Sequence, residues 1–446
     1  MPMSEEDTDK TPSRRWALFP ARPVLHFVLA ALALLALAWW LLDPAPPKRV
    51  VLATGVAQGA YAEFGARYAE RLARHGIKVE LRPTQGAAEN LDLLRDPKSG
   101  VDIAFVQGGA GEAREGEGLV SLGSMFYEPV WLFYRTERAK QQSKTGTLTS
   151  LAQLAGWRVN IGAPGSGVPH LARSLLEANR IDTATIALTQ QPITPAVAEL
   201  LEGKLDAVVL ASAPESLIVQ MLLQTPGIAL FDFAQADAYT RRFGFLTAVS
   251  LPRGVVDLAS DQPPADVHMV APTATLVARE TLHPALAQLF VQAARDVHNQ
   301  PGWFQKKGDF PNARDGERPL AAEAERFYRS GVPWLQRYLP FWMANVVDRM
   351  WLALISIVAV LLPLSRVVPP IVELRIRSRV FRWYAQLREI EQNAGARSAA
   401  ALLPELDAIE QRVNAIDVPL SYADELYALK SHIQLVRRRL QTGAAA

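Results

Sequence analysis

VVLATG, at Val50 to Gly55, sets the pattern that decides the fold, and three later stretches repeat it: RPTQGAAEN at Arg82 to Asn90, DIAFVQGG at Asp102 to Gly109, and NIGAPGSG at Asn160 to Gly167. Each is an apolar or β-branched run that stops at a glycine-containing turn, which is typical of a strand that ends near the start of a helix. Such turns aim backbone N–H groups and helix N-termini at one point, an arrangement that suits a carboxylate or another small anion. The middle of the chain is therefore predicted to form a cleft for a small ligand.

Composition limits the class of protein. The chain has 446 residues, of which 49% are hydrophobic and 21% charged, as is typical of a folded chain of roughly two or three domains. A net charge of +2 gives no reason to expect a nucleic acid as partner. Because the sequence contains no cysteine, it excludes disulfides, thiolate metal sites and cysteine nucleophiles.

An apolar segment near the start of the chain predicts a membrane span. It covers Leu25 to Leu42 without a formal charge, and arginines precede it. Such a segment can cross about 30 Å of hydrocarbon, and the arginines favour a cytoplasmic location for residues 1–24. A cleaved signal peptide is the alternative, but the prolines of DPAPPKR, which follow the segment, are unlike a cleavage site, so an uncleaved anchor is favoured.

A second apolar segment lies near the end of the chain. Met350 to Leu364 is short for a span unless the apolar residues before it extend the helix, which gives a predicted span over residues 345–366. Arginines outnumber acids between Arg366 and Arg388 and favour a cytoplasmic C-terminal side. A buried core helix is the alternative interpretation. With both spans, residues 43–345 lie outside and both termini lie in the cytoplasm.

Between these segments strands and helices alternate, which predicts parallel α/β sheets. Strands are predicted at 50–53, 78–82, 103–107, 130–134, 158–161, 185–188, 207–210 and 228–231, and helices at 61–75, 87–95, 151–155, 168–179, 194–202 and 214–223. The polar run TERAKQQSKTGT, at 136–147, is interpreted as a crossover into a second lobe at about 136–246, and a late strand at 268–278 leads back before a helix at 283–299. The prediction is a two-lobed α/β domain over 48–300, the architecture of a periplasmic binding protein.

An ordered set of motifs in this domain resembles one family. The motifs are ATG at 53–55, QGAY at 58–61, PTQGAAENL at 83–91, DIAFVQ at 102–107, FYEPVWLFYR at 126–135, IGAPGSG at 161–167 and LLEGKLDAVVLASAP at 200–214. The set resembles the TAXI family, the extracytoplasmic solute-binding subunits of TRAP (tripartite ATP-independent periplasmic) transporters. The resemblance implies a type II binding-protein fold, a small carboxylate ligand such as an amino acid or dicarboxylate, and TRAP permease subunits as partners. Together with the two predicted spans, it predicts a bacterial inner-membrane protein with its binding domain in the periplasm.

The chain departs from that family in two loops and in its length. Val56 and Ala57 stand in the first loop, which is rich in glycine pairs in the family, and Val168 stands where a threonine usually follows the Gly-Ser-Gly. Losing that hydroxyl removes a ligand hydrogen bond. A typical member also lacks the C-terminal span and tail.

The candidate ligand contacts lie at the glycine-containing turns. They are Thr54, Gly55, Ala60, Tyr61, Gln85, Gly86, Asn90 and Gln107 in the first lobe, and Pro164, Ser166 and Gly167 in the second. Gln107 follows a buried strand and is expected at its carboxyl end, where α/β proteins bind ligands. Ser166 is predicted at a helix N-cap, where its hydroxyl either bonds a ligand or only caps the helix.

No catalytic or metal-binding pattern accompanies these turns. IGAPGSG lacks the lysine that a phosphate-binding P-loop needs, and Ser166 is not in a G-x-S-x-G context. The seven histidines show no metal-binding spacing. The sequence predicts a non-enzyme without metal or cofactor.

Two further segments complete the chain. Residues 301–342 carry Trp303, Phe304 and Phe310 and end in the aromatic run PWLQRYLPFW; they are predicted to pack on the lobes or to lie near the membrane. Residues 372–441 are predicted to form a cytoplasmic tail of amphipathic helices, divided near Ala394 and at a turn around Pro419. Such a tail forms a bundle, binds a partner, or lets its arginines bind anionic lipid.

These features favour a membrane-anchored solute-binding component of a TRAP-type uptake system. A receptor that senses a periplasmic carboxylate and signals through the tail helices is one alternative. A scaffold whose lobes have lost their ligand, given Val168, is another.

Overall fold

The structure is a computed structural model and describes residues 21–42, 45–57, 59–314, 316–394, 397–415 and 423–443. Most of the predicted cytoplasmic N-terminus and the predicted turn around Pro419 lie outside the described residues. One structural unit holds Ala45–Asn345, and the described residues before and after it belong to a second.

The helices and strands follow one another in this order: α1 Ala21–Leu42, β1 Arg49–Ala53, α2 Ala60–Ala73, β2 Lys78–Arg82, α3 Ala87–Arg95, β3 Ile103–Gln107, β4 Leu119–Tyr127, β5 Val130–Arg135, α4 Thr136–Lys140, β6 Arg158–Asn160, α5 Val168–Ala178, β7 Ala187–Thr189, α6 Ile193–Leu201, β8 Ala207–Ala211, α7 Leu217–Leu223, β9 Ile228–Leu230, α8 Ala236–Arg242, β10 Leu246–Leu251, β11 Val267–Arg279, α9 Pro284–His298, α10 Ala322–Ser330, α11 Phe341–Asn393, α12 Ala399–Asn414 and α13 Ala423–Gly443. Short 3₁₀ turns lie at Leu151–Leu154, Thr183–Thr185 and Trp334–Arg337.

The first lobe is built on a mixed sheet with the strand order β10-β11-β3-β1-β2, to which β4 adds by pairing with β11. Strand β1 runs parallel to β2 and β3, whereas β11 runs antiparallel to β3. Every residue of β3 is buried, as expected of a strand covered on both faces. Helix α2 packs on this sheet because Phe64, Tyr68 and Leu72 recur at a spacing of four residues and form one apolar face.

The second lobe is built on the sheet β7-β6-β8-β5-β9. Strand β6 runs parallel to β7 and β8, and β5 runs antiparallel to β8 and β9. Because β5 belongs to this sheet, the chain crosses between the lobes at Glu128 and Pro129. The predicted crossover at 136–147 is therefore wrong: residues 136–140 form α4, which follows a strand already in the second lobe.

Strand β11 returns the chain to the first lobe. Its first half pairs with β10 from Leu246↔Pro272 to Leu251↔Val267, and its second half pairs with β3 from Ala274↔Gln107 to Ala278↔Ile103. Val270 packs in a cluster of second-lobe side chains, while Leu276 belongs to the core of the first lobe. One long strand thus connects the two cores, which fixes the base of the space between them.

The unit Ala45–Asn345 also includes the aromatic segment before α11. Trp303 and Phe304 pack against a second-lobe cluster, and Phe310 is buried against Tyr127. This part of the segment packs on the lobes, which is the first of the two predicted arrangements. Trp334, Tyr338 and Trp342 are exposed, as aromatic side chains of a membrane interface are.

Helix α11 is the one helix of the described residues that is long and apolar enough to cross a membrane. The apolar part runs over Phe341–Val367, with a mean hydropathy of 2.1. The apolar stretch of α1 within the described residues, Val28–Leu42, is shorter than that criterion requires. The predicted pair of spans therefore has structural support at the second segment only.

The end of α11 joins α12 and α13 in a separate apolar cluster. Leu387 and Ile390 pack with stripes from the two later helices: Leu402, Leu406, Ile409 and Val413, and Leu429, Ile433, Val436 and Leu440. The arginine Arg437 forms ion pairs with Asp407 and Glu410 across the helix pair. These stripes are the ones that the 3.6-residue periodicity predicts, so the described part of the tail forms a bundle.

Candidate ligand-binding cleft

A cavity of about 420 Å³ lies between the two lobes. The loop after β1, the start of α3 and the end of β3 line it from the first lobe; the loop at 162–168, the start of α6 and the end of β8 line it from the second. These are carboxyl ends of strands and starts of helices, where open α/β sheets bind ligands. The volume falls in the range of about 300–1,000 Å³ that is usual for sites of small molecules.

Most of the predicted contact residues line this cavity. They are Gly55, Ala60, Tyr61, Gln85, Gly86 and Gln107 from the first lobe, and Ser166 and Gly167 from the second. Thr54, Asn90 and Pro164 are not part of the lining. The turns at strand ends thus come together as the spacing predicts, although three individual side chains do not.

Asn90 lies beneath the cavity rather than in it. It is fully buried, and its side-chain NH₂ donates to the carbonyls of Thr54 at 2.6 Å and Phe105 at 2.8 Å. Its carbonyl oxygen accepts from the Thr84 hydroxyl at 2.7 Å. With these groups already bonded, Asn90 ties α3 to the ends of β1 and β3. The expectation that it contacts a ligand is corrected to a role in holding the loops.

The side-chain amide of Gln107, unlike that of Asn90, is not fully hydrogen-bonded within the protein. The residue is 3% exposed, it lines the cavity, and its Nε2 atom has no hydrogen-bond partner in the structure. A buried donor without a partner is unfavourable by about 1–3 kcal/mol, and native proteins rarely contain one. Gln107 is therefore a lining residue with an unused hydrogen-bond donor.

The two lobes are in direct contact near the cavity. The Glu89 N–H of α3 donates to the Gly165 carbonyl of the second lobe at 2.9 Å. A Cβ atom on Gly86, where φ is 134°, would lie 3.3 Å from the Ser166 Cα, and one on Gly167 would lie 1.9 Å from the Gln107 Oε1. At Gly86 the backbone conformation also favours glycine, whereas at Gly167 a side chain would displace the Gln107 amide or the facing lobe. The structure therefore shows the two lobes in direct contact beside the cavity.

This contact alters the expected anion site at the start of α3. The N–H of Gln85 donates to the Glu89 carboxylate at 2.7 Å, and that of Gly86 donates to the Thr84 hydroxyl at 3.2 Å. With the Glu89 N–H also bonded to the second lobe, several donors of this helix start are occupied by the protein. The N-terminus of α3 is less able to bind a carboxylate than the turn pattern predicts.

Ser166 lines the cavity but does not cap the helix. Gly167 is the N-cap residue of α5, without a side-chain cap, and the Ser166 hydroxyl donates to the Ala163 carbonyl at 2.8 Å. The predicted N-cap position is therefore wrong by one residue. In this geometry the hydroxyl oxygen still accepts a hydrogen bond from a ligand.

Glu128 is a cavity residue that the sequence analysis did not single out. It lies at the crossing between the lobes, is 5% exposed, and accepts a 2.7 Å hydrogen bond from the Tyr61 hydroxyl. Burial raises the pKa of Glu128 to about 8, although the hydrogen bond from Tyr61 acts in the opposite direction. The signal was an acid inside the apolar run FYEPVWLFYR, where a charged residue is unexpected unless it has a function.

The rest of the lining is apolar or made of backbone and small polar groups. Val56, Val168, Ile193, Val209 and Leu210 contribute apolar surface. Among the described residues no group of three or more His, Cys, Asp or Glu side chains is arranged to hold a metal ion. The cleft is equipped to bind and enclose a small molecule with a few polar groups.

Comparison with known proteins gives a family match over most of the domain. The model of the NMT1-like family matches residues 52–329. Among solved structures, the chain is similar to a protein from Bordetella bronchiseptica RB50, with 15% identity and a TM-score of 0.41 over 68% of this chain and 98% of that chain. It is also similar to the alkanesulfonate-binding protein of Xanthomonas axonopodis pv. citri, bound to MOPS, with 16% identity and a TM-score of 0.36 over 57% of this chain and 73% of that one. A third is the Prochlorococcus marinus protein in complex with methylphosphonate, with 10% identity and a TM-score of 0.37 over 57% of this chain and 85% of that one. At these identities the likeness concerns the fold alone.

Proposed function

The chain belongs to the NMT1-like family, and from that premise we propose that its two-lobed domain is an extracytoplasmic solute-binding component that captures a small carboxylate, an amino acid or a dicarboxylate. In this proposal it delivers the solute to the permease subunits of a TRAP-type system in the bacterial inner membrane. The resemblance of its turn motifs to the TAXI family supports that assignment.

One observation carries the binding function: Gln107 lines the cavity and has a buried Nε2 without a hydrogen-bond partner. A carboxylate or carbonyl oxygen in the cavity gives this donor the partner that the protein lacks. Since Gln107 belongs to the first lobe and contacts Gly167 of the second, a ligand bonded there is held at the place where the lobes meet.

The membrane attachment rests on α11 and on the charge pattern. The apolar part of α11, Phe341–Val367, is long enough to span a bilayer, and arginines follow it in the sequence. In the proposed topology the segment 25–42 forms a second span, so that the binding domain lies in the periplasm and both ends of the chain lie in the cytoplasm.

The helical bundle of the tail favours a second candidate function, ligand sensing. Solute capture alone needs no folded cytoplasmic part, whereas α12 and α13 form an apolar cluster with the end of α11. A receptor that reports a periplasmic ligand to a cytoplasmic partner of residues 372–441 accounts for this bundle. Deletion of residues 372–446 leaves solute uptake unchanged if the protein serves transport, and abolishes a cellular response to the solute if it serves sensing.

A thermal-shift screen of the full-length protein in detergent tests the proposal. Amino acids, dicarboxylates and their amides are added one at a time, and the melting temperature of the wild type is compared with that of Gln107→Ala. A ligand that stabilises the wild type and stabilises Gln107→Ala less supports solute binding in the cleft. If a broad panel leaves the melting temperature of the wild type unchanged, the scaffold interpretation replaces the proposal.

A further inference from the structure

The charges around the cavity are unusual for a site that receives an anion. Among the described residues that line it there is one carboxylate, Glu128, and there is no lysine, arginine or histidine. Sites that bind carboxylates through charge generally supply a basic side chain, because charge-assisted hydrogen bonds are about twice as strong as neutral ones. The one acid in this lining, Glu128, is a group whose charged form is stabilised by a cation and not by an anion.

Glu128 is held firmly in place. Its backbone N–H donates to the Pro272 carbonyl at 2.9 Å, which ties the crossing between the lobes to β11. Its side chain accepts the Tyr61 hydroxyl, and Tyr61 stacks on Phe105 with ring centroids 5.0 Å apart. Among the described residues that line the cavity with Glu128, none has a basic side chain. Burial holds the pKa of Glu128 at about 8, so the group is largely protonated near neutral pH, and an ammonium ion beside it favours the charged form.

We propose that Glu128 receives a protonated amine of the ligand, while Gln107 donates to a carboxylate or carbonyl oxygen of the same molecule, so that the cleft selects amino acids over dicarboxylates. This inference rests on the proposed function and specifies its ligand class. It assigns Glu128 as a binding residue, and Tyr61 as the residue that positions the Glu128 carboxylate.

Charge balance in the closed cavity supports this selection. A dicarboxylate brings two negative charges into a lining that has no cation, so that desolvation opposes binding, and repulsion is added at the pH values where Glu128 is ionised. A zwitterionic amino acid brings no net charge, and its ammonium group supplies the cation that Glu128 lacks. The apolar lining from Val56, Val209 and Ile218 then accommodates an uncharged side chain.

The pH dependence of binding separates this arrangement from the reverse one, in which a protonated Glu128 donates to a carboxylate. The titratable group that faces Glu128 is Tyr61, whose own pKa is raised well above its usual value by burial and by Glu128. Since the pKa of Glu128 in the empty cleft is about 8, an ammonium ligand must release its proton. Affinity for an amine then rises between pH 6 and pH 8, by at most about tenfold per pH unit, whereas affinity for a carboxylate received by the protonated acid falls above pH 8.

Calorimetric titration of the full-length protein with matched pairs tests the inference. The pairs share a carbon skeleton and differ in the amine: L-alanine and propanoate, L-leucine and 4-methylpentanoate, L-glutamate and pentanedioate. We expect the amine-bearing member of at least one pair to bind ten or more times tighter than its partner. Glu128→Gln, which keeps an acceptor for the Tyr61 hydroxyl, should remove that preference, while the exposed control Glu177→Gln should preserve it.

The possible results distinguish failure of the inference from failure of the proposed function. If the acid without an amine binds as tightly as its amino acid, or if Glu128→Gln leaves the preference intact, the inference is overturned and solute capture stands. An affinity that falls between pH 6 and pH 8 overturns it as well, even if Glu128→Gln fails to fold. If no member of any pair binds, both the inference and the proposed function fall.

Discussion

Gln107 and Asn90 are both buried amides near the ends of first-lobe strands, and their surroundings give them different roles. The NH₂ group of Asn90 is bonded to two backbone carbonyls, whereas that of Gln107 has no partner in the protein. An amide whose hydrogen bonds are satisfied within the protein supports the fold; one that is unsatisfied in a cavity wall is available to a ligand.

Substitution of Gln107 should therefore affect binding more than folding. In Gln107→Ala the ligand loses one hydrogen bond, which is worth about 0.5–1.5 kcal/mol and raises the dissociation constant several-fold. The melting temperature of the empty protein should change little, because no protein partner loses a bond. A dissociation constant equal to that of the wild type, measured by calorimetry, would show that this amide does not contact the ligand.

Substitution of Asn90 should do the reverse. Asn90→Ala removes the side-chain donor to the Phe105 carbonyl and one of the two side-chain donors to the Thr54 carbonyl, which still accepts from the Thr84 hydroxyl, at a cost of about 1–3 kcal/mol in the free energy of unfolding. The expected result is a clear fall in the melting temperature of the empty protein, measured by differential scanning fluorimetry. An unchanged melting temperature would contradict the supporting role assigned to Asn90.

Gly167 tests whether the closed contact between the lobes matters for binding. In Gly167→Ala the new Cβ meets the Gln107 Oε1 at 1.9 Å, so that the lobes must separate or the amide must move. We expect weaker ligand binding. Gly244→Ala is the matched control, because nothing lies within 4 Å of its new Cβ, and its affinity should equal that of the wild type. Equal affinities in both variants would show that closure through Gly167 is dispensable.

Sequence patterns predict where the site lies better than what each residue does. The rule that ligands bind at carboxyl ends of strands locates Gln107, Gln85 and the loop of Ser166. The same rule does not predict that Asn90 bonds to backbone carbonyls, because those bonds form only when the ends of β1 and β3 lie next to α3 in the fold. Nor does it find Glu128, whose position in the cavity arises because the chain changes lobes at that residue.

At the scale of elements, periodicity predicts helices well and irregular strands poorly. Helix α3 spans residues 87–95, as predicted, and α5 and α9 differ from prediction by single residues at their ends. The pattern does not predict strand β4, because its sequence contains Gly123 and two serines, and its pairing with β11 shifts register. Strand β10 is not predicted either. The polar run at 136–147 does not mark the crossing between the lobes. Polar residues indicate an exposed loop, whereas the crossing at Glu128 and Pro129 includes a buried residue.

The tail bundle makes an element-scale prediction. Leu406 is fully buried between helices, whereas Leu435 is 51% exposed on α13. Leu406→Ala should destabilise the bundle by about 2–5 kcal/mol and increase protease cleavage within residues 399–443 of the full-length protein in detergent. Leu435→Ala serves as the control and should be cleaved as slowly as the wild type. Equal protection of the two variants would contradict the packing of α12 against α13.

At the scale of the whole molecule, the account predicts that α11 crosses the membrane. Alkaline phosphatase, which is active only outside the cytoplasm, should be active when fused after Pro301 and inactive when fused after Asn393. The reason is that α11 carries the apolar stretch Phe341–Val367 between these points and arginines follow it. Activity at both sites would remove the span in α11, and with it the sensing alternative.

Hydrogen–deuterium exchange of the full-length protein tests the central claim, that a small solute is held between the two lobes, most directly. A stabilising ligand from the thermal-shift screen is added, and the exchange of each segment is measured by mass spectrometry. The account predicts slower exchange at three places that meet only in the closed cleft: residues 59–65, 85–90 and 162–168. Slower exchange confined to segments away from the cavity, such as the tail helices, would contradict it.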